Sequence, residues 1–462
     1  MVSMMVHLVI LVALGLLLTP NEDERHRVAL VVAAQEDDEE PSLLEPMLAV
    51  SSFDSPEAES EKDDPQLAQV PNAPNIPSPF ARQETASVVQ PASRLARQIP
   101  LTTLMLANNA PVGGGFEGRT QEARARLAAT GGATPHSEAA VEAGLAWLAA
   151  HQRADGSWRL LHQFGTCDCR NQGVRETSTG ATGLGLLPFL GAGYTHLRGP
   201  YHEVVQKGLD YLMCKMVDTP HGGDLQEGGN IGMYTHGIAA LALCEAYAMT
   251  GDQQLRPYAE KTIQFICTAQ HSQGGWRYNP GQPGDTTVSG WQVMALKSGR
   301  LARLELPSHV IERTKLYLNS VSTSQGAFYG YRTPRKEVGP TAVALLLRMY
   351  LGWTRDDDRL VRGSMYLSAT GPSRTDVYFN YYATQVMHHL QGNGWPQWNA
   401  RMRDYLVETQ AKREHEKGSW FFPDPHGTYG GRLYTTAMCI MTLEVYYRHM
   451  PLYGDDAVID DF

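Results

Sequence analysis

From His136 to Tyr453 apolar residues recur three and four positions apart, and clusters of proline and glycine separate the runs. That spacing predicts α-helices joined by loops. Two kinds of helix alternate. The first is amphipathic, carries Arg, Glu or Lys along one face, and ends in an aromatic residue followed by Leu or Ile. Its instances are Trp147-Leu148, Tyr211-Leu212, Phe265-Ile266, Tyr317-Leu318, Tyr366-Leu367 and Tyr405-Leu406. Four residues before the aromatic stands Lys207, Lys261, Arg313, Arg362 or Arg401, with Ala143 in the first unit. The second kind is apolar nearly all round and rich in small residues, near Thr179–Leu190, Tyr234–Met249, Thr286–Lys297, Thr341–Tyr350, Val377–Leu390 and Tyr434–Tyr447. A helix apolar on every side is a buried one. Six amphipathic helices alternating with six buried ones predict an all-α fold, an (α/α)6 toroid with an outer ring around an inner ring. An open stack would need distinct polar caps at its ends.

The chain before this region reads differently. Residues 21–134 are rich in proline and glycine, and 15 acidic against 3 basic residues lie between Asn21 and Pro65. Little apolar surface is available there to offset the entropy of ordering, so the segment is expected to be a disordered acidic tether. The net charge of −10 therefore belongs to the tether. The remainder is nearly neutral, and no basic stripe points to nucleic acid. Residues 1–20 hold one apolar run, Met4 to Leu18, broken only by His7 and Gly15. It is shorter than the ~20 residues of a membrane span and matches the ~7–15 of a signal-peptide core. It is read as a signal peptide or membrane anchor, which puts the protein outside the cytoplasm, with membrane attachment through this run as one alternative.

A motif between the two kinds of helix narrows the fold. Gln152-Arg-Ala-Asp-Gly156-Ser-Trp158 and Gln270-His-Ser-Gln-Gly274-Gly-Trp276 share a spacing, and Gln410 with Gly418-Ser-Trp420 is a looser copy. Glycine permits a left-handed turn after a helix, and a tryptophan fills a seam between units. Preceded by the aromatic-Leu pair, the motif resembles the QW repeat of squalene and oxidosqualene cyclases. The resemblance covers roughly 135–455 and extends to the wider terpenoid-cyclase and protein-prenyltransferase toroids. It implies that the Gln and Trp tie neighbouring units together.

The catalytic motifs of those families are incomplete. The cyclase motif is Asp-x-Asp-Asp at an inner helix start, whereas the chain has Gly284-Asp285-Thr286-Thr287. A lone carboxylic acid is too weak to protonate an alkene. Prenyltransferases hold zinc with Asp-x-Cys, and here Asp376-Val377-Tyr378 lacks the cysteine. The run Asp356-Asp357-Asp358 reads as a solvated loop. Asp285 and Asp376 remain the only pair of acids at inner helix starts, the minimum for a carbohydrate-active hydrolase or lyase. His162, Cys167 and Cys169 share a loop and offer three metal-type ligands, one short of a structural zinc site. Cys214, Cys244, Cys267 and Cys439 read as small buried hydrophobes. No cofactor is expected.

The remaining expectation concerns a central cavity. Aligning the inner helices on Gly180, Gly237, Gly290 and Ala383 puts His236, Ser289 and Tyr382 at one height, with Asp285 and Tyr378 one turn earlier and Trp291 alongside. These six residues are expected to line the mouth of the cavity. The functional expectation is a non-cyclising toroid that binds an apolar or isoprenoid ligand, or a protein partner. The alternatives are a carbohydrate-active enzyme and a divergent cyclase or prenyltransferase.

Overall fold

The computed structural model of the protein describes residues 114–453. The apolar run at Met4–Leu18, the acidic segment and most of the expected tether lie outside these residues. A short leading helix, α1 (Gln121–Gly131), precedes six helical pairs. They are α2 (Pro135–Ala150) with α3 (Thr179–Gly191), α4 (His202–Lys215) with α5 (Gly232–Thr250), and α6 (Arg256–Ala269) with α7 (Thr286–Leu301). There follow α8 (Ser308–Ser320) with α9 (Val338–Tyr350), α10 (Asp358–Thr370) with α11 (Val377–Leu390), and α12 (Gly394–Thr409) with α13 (Pro425–Leu443). A last turn, α14 (Val445–Arg448), follows.

The second helix of each pair packs on the second helix of the pair before it, and α13 packs on α3. The inner ring is thus closed, and the fold is an α/α toroid. Burial follows the sequence pattern. Every residue of α3 is buried, as are all of α5 except Tyr234 and Met249, whereas the outer helices bury one face. Among the described residues, no helix is long and apolar enough to cross a membrane.

The Gln–Gly–Trp units form the joints. In each, the Trp is fully buried, and its indole N–H donates to the carbonyl of the Leu or Ile that follows the helix-end aromatic: Leu148, Ile266 or Leu406. Its backbone N–H donates to a hydroxyl on the paired inner helix: Thr182, Ser289 or Thr436. The Gln amide reaches the next outer helix, at the carbonyl of Val204, Val310 or Ala140. The last bond, from Gln410 to Ala140, closes the ring between the final and first pairs. Gly274, at φ +87°, shows why glycine is needed, because an added Cβ would collide with the carbonyl of Arg313. Arg313 is one of the residues four positions before the aromatic. Three connections lack the motif, and two of these use two-stranded hairpins instead. These are β1 (Val217–Thr219) with β2 (Gly222–Asp224), and β3 (Ser322–Thr323) with β4 (Phe328–Tyr329). The hydroxyl bond survives there, from Glu227 N–H to Thr235 and from Tyr329 N–H to Thr341.

The expected tether ends earlier than Thr134. Residues 114–134 pack on the ring. Arg124 bonds Glu138 and Glu142 of α2, and the carbonyls of Gly131 and Gly132 accept from Trp395, Asn399 and Arg403 of α12. The segment therefore straps α2 to α12 across the closing joint. Arg119 is buried against the C-terminal ends of the inner helices, 2.7 Å from Glu245, which Arg448 also contacts at 3.1 Å. Burial opposes the charge on Glu245, but the two guanidiniums outweigh it and hold its carboxyl below the ordinary range. The cysteine expectation fails at one position: Cys214 is exposed, Cys267 is half-buried, and Cys244 and Cys439 are buried.

Candidate functional site

Between the N-terminal ends of the inner helices lies a hollow with about 680 Å³ of space between its walls, part of it open to solvent. Five of the six inner helices contribute. Gly180, Ala181 and Leu184 come from α3, Tyr234, Thr235 and Ile238 from α5, Trp291 from α7, Tyr378 from α11, and Tyr434 from α13. Leu160, Thr177, Ile231, His426 and Tyr429 complete the wall. Apolar and aromatic groups dominate, as in most small-molecule sites.

The small residues explain why the inner ends can draw together. A Cβ on Gly180 would meet Thr235 at 2.8 Å, and one on Gly290 would meet Val343 at 2.8 Å. Each glycine receives the neighbouring inner helix. Trp291 lies 6.1 Å from Tyr381 in a stacked pair and meets Tyr382 edge-on at 6.2 Å. Tyr378 stacks on His426 with ring centres 5.0 Å apart, and its hydroxyl donates to the carbonyl of Thr287 at 3.1 Å.

Of the six expected lining residues, Trp291 and Tyr378 face the hollow. His236 turns outward between the two rings. Its Nδ1 accepts from Leu225 N–H, its Nε2 donates to the carbonyl of Thr262, and its ring packs on Phe265 of α6. Burial lowers its pKa to about 4, so it is a neutral joint residue. Ser289 holds Trp276, as described above. Tyr382 is fully buried in the aromatic cluster behind Trp291. Asp285 caps α7 by accepting from Val288 N–H at 2.7 Å, and Tyr331 donates to its other oxygen at 3.2 Å. Burial raises its pKa to about 6.

The hydrogen-bond partners of the Asp285 carboxyl are Thr287, Val288 and Tyr331, not Asp376. Asp376 instead lies by Asp424, and its charge acts on Asp424 and on His426. Both aspartates are N-caps: Asp376 accepts from Phe379 N–H on α11, and Asp424 accepts from Gly427 N–H on α13. The second carboxylate oxygen of Asp424 is buried without a hydrogen-bond partner among the described residues, as is the hydroxyl of Tyr434. Burial first, and the charge of Asp376 second, raise the Asp424 pKa to about 7. Asp424 was missed because the last inner helix reads as starting at Tyr434. It starts at Pro425 and breaks at Gly431, which has φ +70° and ψ −168°. Asp followed by Pro at the first helical position was the available clue.

The metal-type cluster is also rearranged. The donor atoms of Cys167 and Cys169 gather with that of His151, not His162, all within 4.8 Å of one another. His151 ends α2, one turn after Trp147.

No sequence family and no characterised protein matches the chain in sequence. Solved structures similar to it include the apo form of the type II terpene cyclase MstE from Scytonema. That structure is 16% identical, with 67% of this chain and 97% of that one covered and a TM-score of 0.46. Cellobiose 2-epimerase from Bacillus thermoamylovorans B4167 is 15% identical over 67% of this chain and 98% of its own, at 0.48. An inactive variant of the α-1,6-mannanase GH76A of Salegentibacter sp. HEL1_6, in complex with α-1,6-mannotriose, is 10% identical over 68% and 99%, at 0.46. The likeness is one of fold, and the chemistry rests on the chain's own residues.

Proposed function

We propose that the protein binds the apolar part of an isoprenoid-type ligand in the hollow, outside the cytoplasm, and does not cyclise it. The observation that carries this reading is the wall itself, in which aromatic and aliphatic side chains from five inner helices dominate. Cyclisation by alkene protonation asks for a sharpened acid. Asp424, whose proton leaves only near pH 7, is a weaker donor than an ordinary carboxyl, and Asp285 is tied up as a cap. The extracytoplasmic setting rests on the Met4–Leu18 run alone.

Calorimetric titration of the full chain with farnesol tests the binding. Saturable binding is expected, and Leu184→Trp, which fills the hollow, should weaken it at least ~10-fold, or ~1.4 kcal/mol. Wild-type protein that shows no saturable uptake would overturn the reading.

One observation favours a second reading. The unpartnered oxygen of buried Asp424, with Asp376 and His426 beside it, suits acid–base transfer to an oxygen-bearing substrate such as a sugar. In the binding reading, Asp424→Asn leaves farnesol affinity unchanged. In the second, it abolishes turnover of a carbohydrate that the wild type consumes.

A further inference from the structure

The loop that joins α2 to α3 carries its own constellation, apart from the residues that line the hollow. His151 ends α2, and its ring stacks on Trp147 with centres 3.9 Å apart. Its Nδ1 lies 2.7 Å from the carbonyl oxygen of Trp147. Only a donor satisfies that carbonyl, so Nδ1 carries the proton and Nε2 presents a lone pair. That lone pair faces two sulfurs, Cys167 Sγ at 3.3 Å and Cys169 Sγ at 3.5 Å. A histidine whose far nitrogen is fixed on a backbone carbonyl is the usual arrangement of a metal-bound imidazole.

Cys169 is buried and Cys167 half-buried, while the Asp168 side chain between them is 74% exposed. The spacing matches tetrahedral zinc. With Zn–S about 2.3 Å and Zn–N about 2.0–2.1 Å, bound sulfur and nitrogen sit about 3.5 Å apart. A fourth donor lies just outside the cluster, and its ring has to turn toward the ion to complete the set. His162 is only 1% exposed, its ring centre is 5.8 Å from that of His151, and neither of its nitrogens has an aligned hydrogen bond among the described residues.

We propose that His151, Cys167 and Cys169, completed by His162, bind a zinc-class cation that staples the α2–α3 loop. Two thiolates and two imidazoles select a soft or borderline divalent ion, and four protein ligands make a closed, structural site. The staple bears on the hollow because the same loop supplies Leu160 and Thr177 to its wall. The loop is also held by backbone bonds, from Gly173 to Leu160 and from Val174 to Tyr429, and by side-chain bonds of Arg170 with Glu416 and of Ser178 with Glu227.

The test uses the full chain, purified under reducing conditions, stripped with a chelator and titrated with cobalt(II). One cobalt per chain is expected, with the strong visible bands of a tetrahedral ion and thiolate charge transfer in the near ultraviolet. Cys167→Ser and Cys169→Ser should lose the thiolate band in proportion, and His162→Ala should weaken binding at least ~10-fold. Circular dichroism separates loss of the ion from loss of the fold. A wild-type chain that shows no cobalt spectrum, or only the pale spectrum of an octahedral ion, overturns the proposal. A Cys167–Cys169 disulfide found by mass under the same conditions overturns it as well, and an unchanged affinity in His162→Ala overturns the closed form.

Discussion

Asp285 is a carboxyl with no solvent contact whose pKa is raised to about 6, mainly by burial. Above its unfolded pKa the unfolded chain is ionised while the folded one still holds its proton. The stabilisation is therefore full below about pH 4 and is lost as pH rises through 6. Asp285→Asn keeps an acceptor for Val288 N–H and removes the titration. Urea midpoints measured from pH 4 to 7 should favour the variant progressively, by about 1.4 kcal/mol per pH unit and roughly 3 kcal/mol in total. Equal pH dependence in the two proteins would contradict the assignment. His236 and His388, each lowered to about 4 by burial, act in the opposite sense and lose stability as pH falls from about 6.5 to 4. The role of Asp285 as a cap was legible, since an aspartate before Thr286-Thr287 is a standard helix start. The direction of His236 was not. It is decided by Leu225, Thr262 and Phe265, which are 11 to 29 residues away and belong to a loop and another helix.

At the level of elements, the Gln–Gly–Trp joints separate backbone strain from packing. Gly274 and Gly281 both have positive φ, at +87° and +73°. An added Cβ meets the carbonyl of Arg313 at Gly274 and nothing within 4 Å at Gly281. Gly281→Ala should cost about 1 kcal/mol for strain alone, and Gly274→Ala at least ~3 kcal/mol, because the next outer helix must shift as well. Trp276→Ala should cost ~3–5 kcal/mol as a large-to-small core change. Thermal unfolding of the three variants checks the order, and equal losses at the two glycines would mean that the joint is loose. The helical pairs themselves were readable, because a single outer face and an all-round apolar inner helix leave different periodicities. The site was half readable. Trp291 and Tyr378 lie on helices whose register the glycines set, whereas Asp424 and His426 lie before the Gly431 break, where no periodic pattern reaches.

For the whole molecule, the leading strap matters more than its composition suggests. A polar helix with a mean burial pattern as thin as that of α1, which buries only Ala128, gives no hydrophobic signature. Its anchor is Arg119, which is held by Glu245 and by the carbonyl of Arg448 at the C-terminal ends of the inner helices. Arg119→Ala leaves a buried carboxylate with one cation in place of two, and should cost ~3–5 kcal/mol. A protein that begins at Gly114 should match the full chain in cooperative unfolding, and one that begins at Ser137 should fall below it by at least the Arg119 loss. Identical midpoints for the two truncations would show that the strap is decorative.

The joint from Gln410 to Ala140 spans 270 residues of chain yet repeats the contacts that Gln152 and Gln270 make with close neighbours. Its two faces are complementary whether or not they belong to one molecule. A ring opened at this place becomes an arc with a donor end and an acceptor end. The donor end of one arc fits the acceptor end of another without any new surface being invented. Such arcs join head to tail, closing as swapped rings or continuing as filaments. The strap, which crosses this joint, keeps each chain joined to itself.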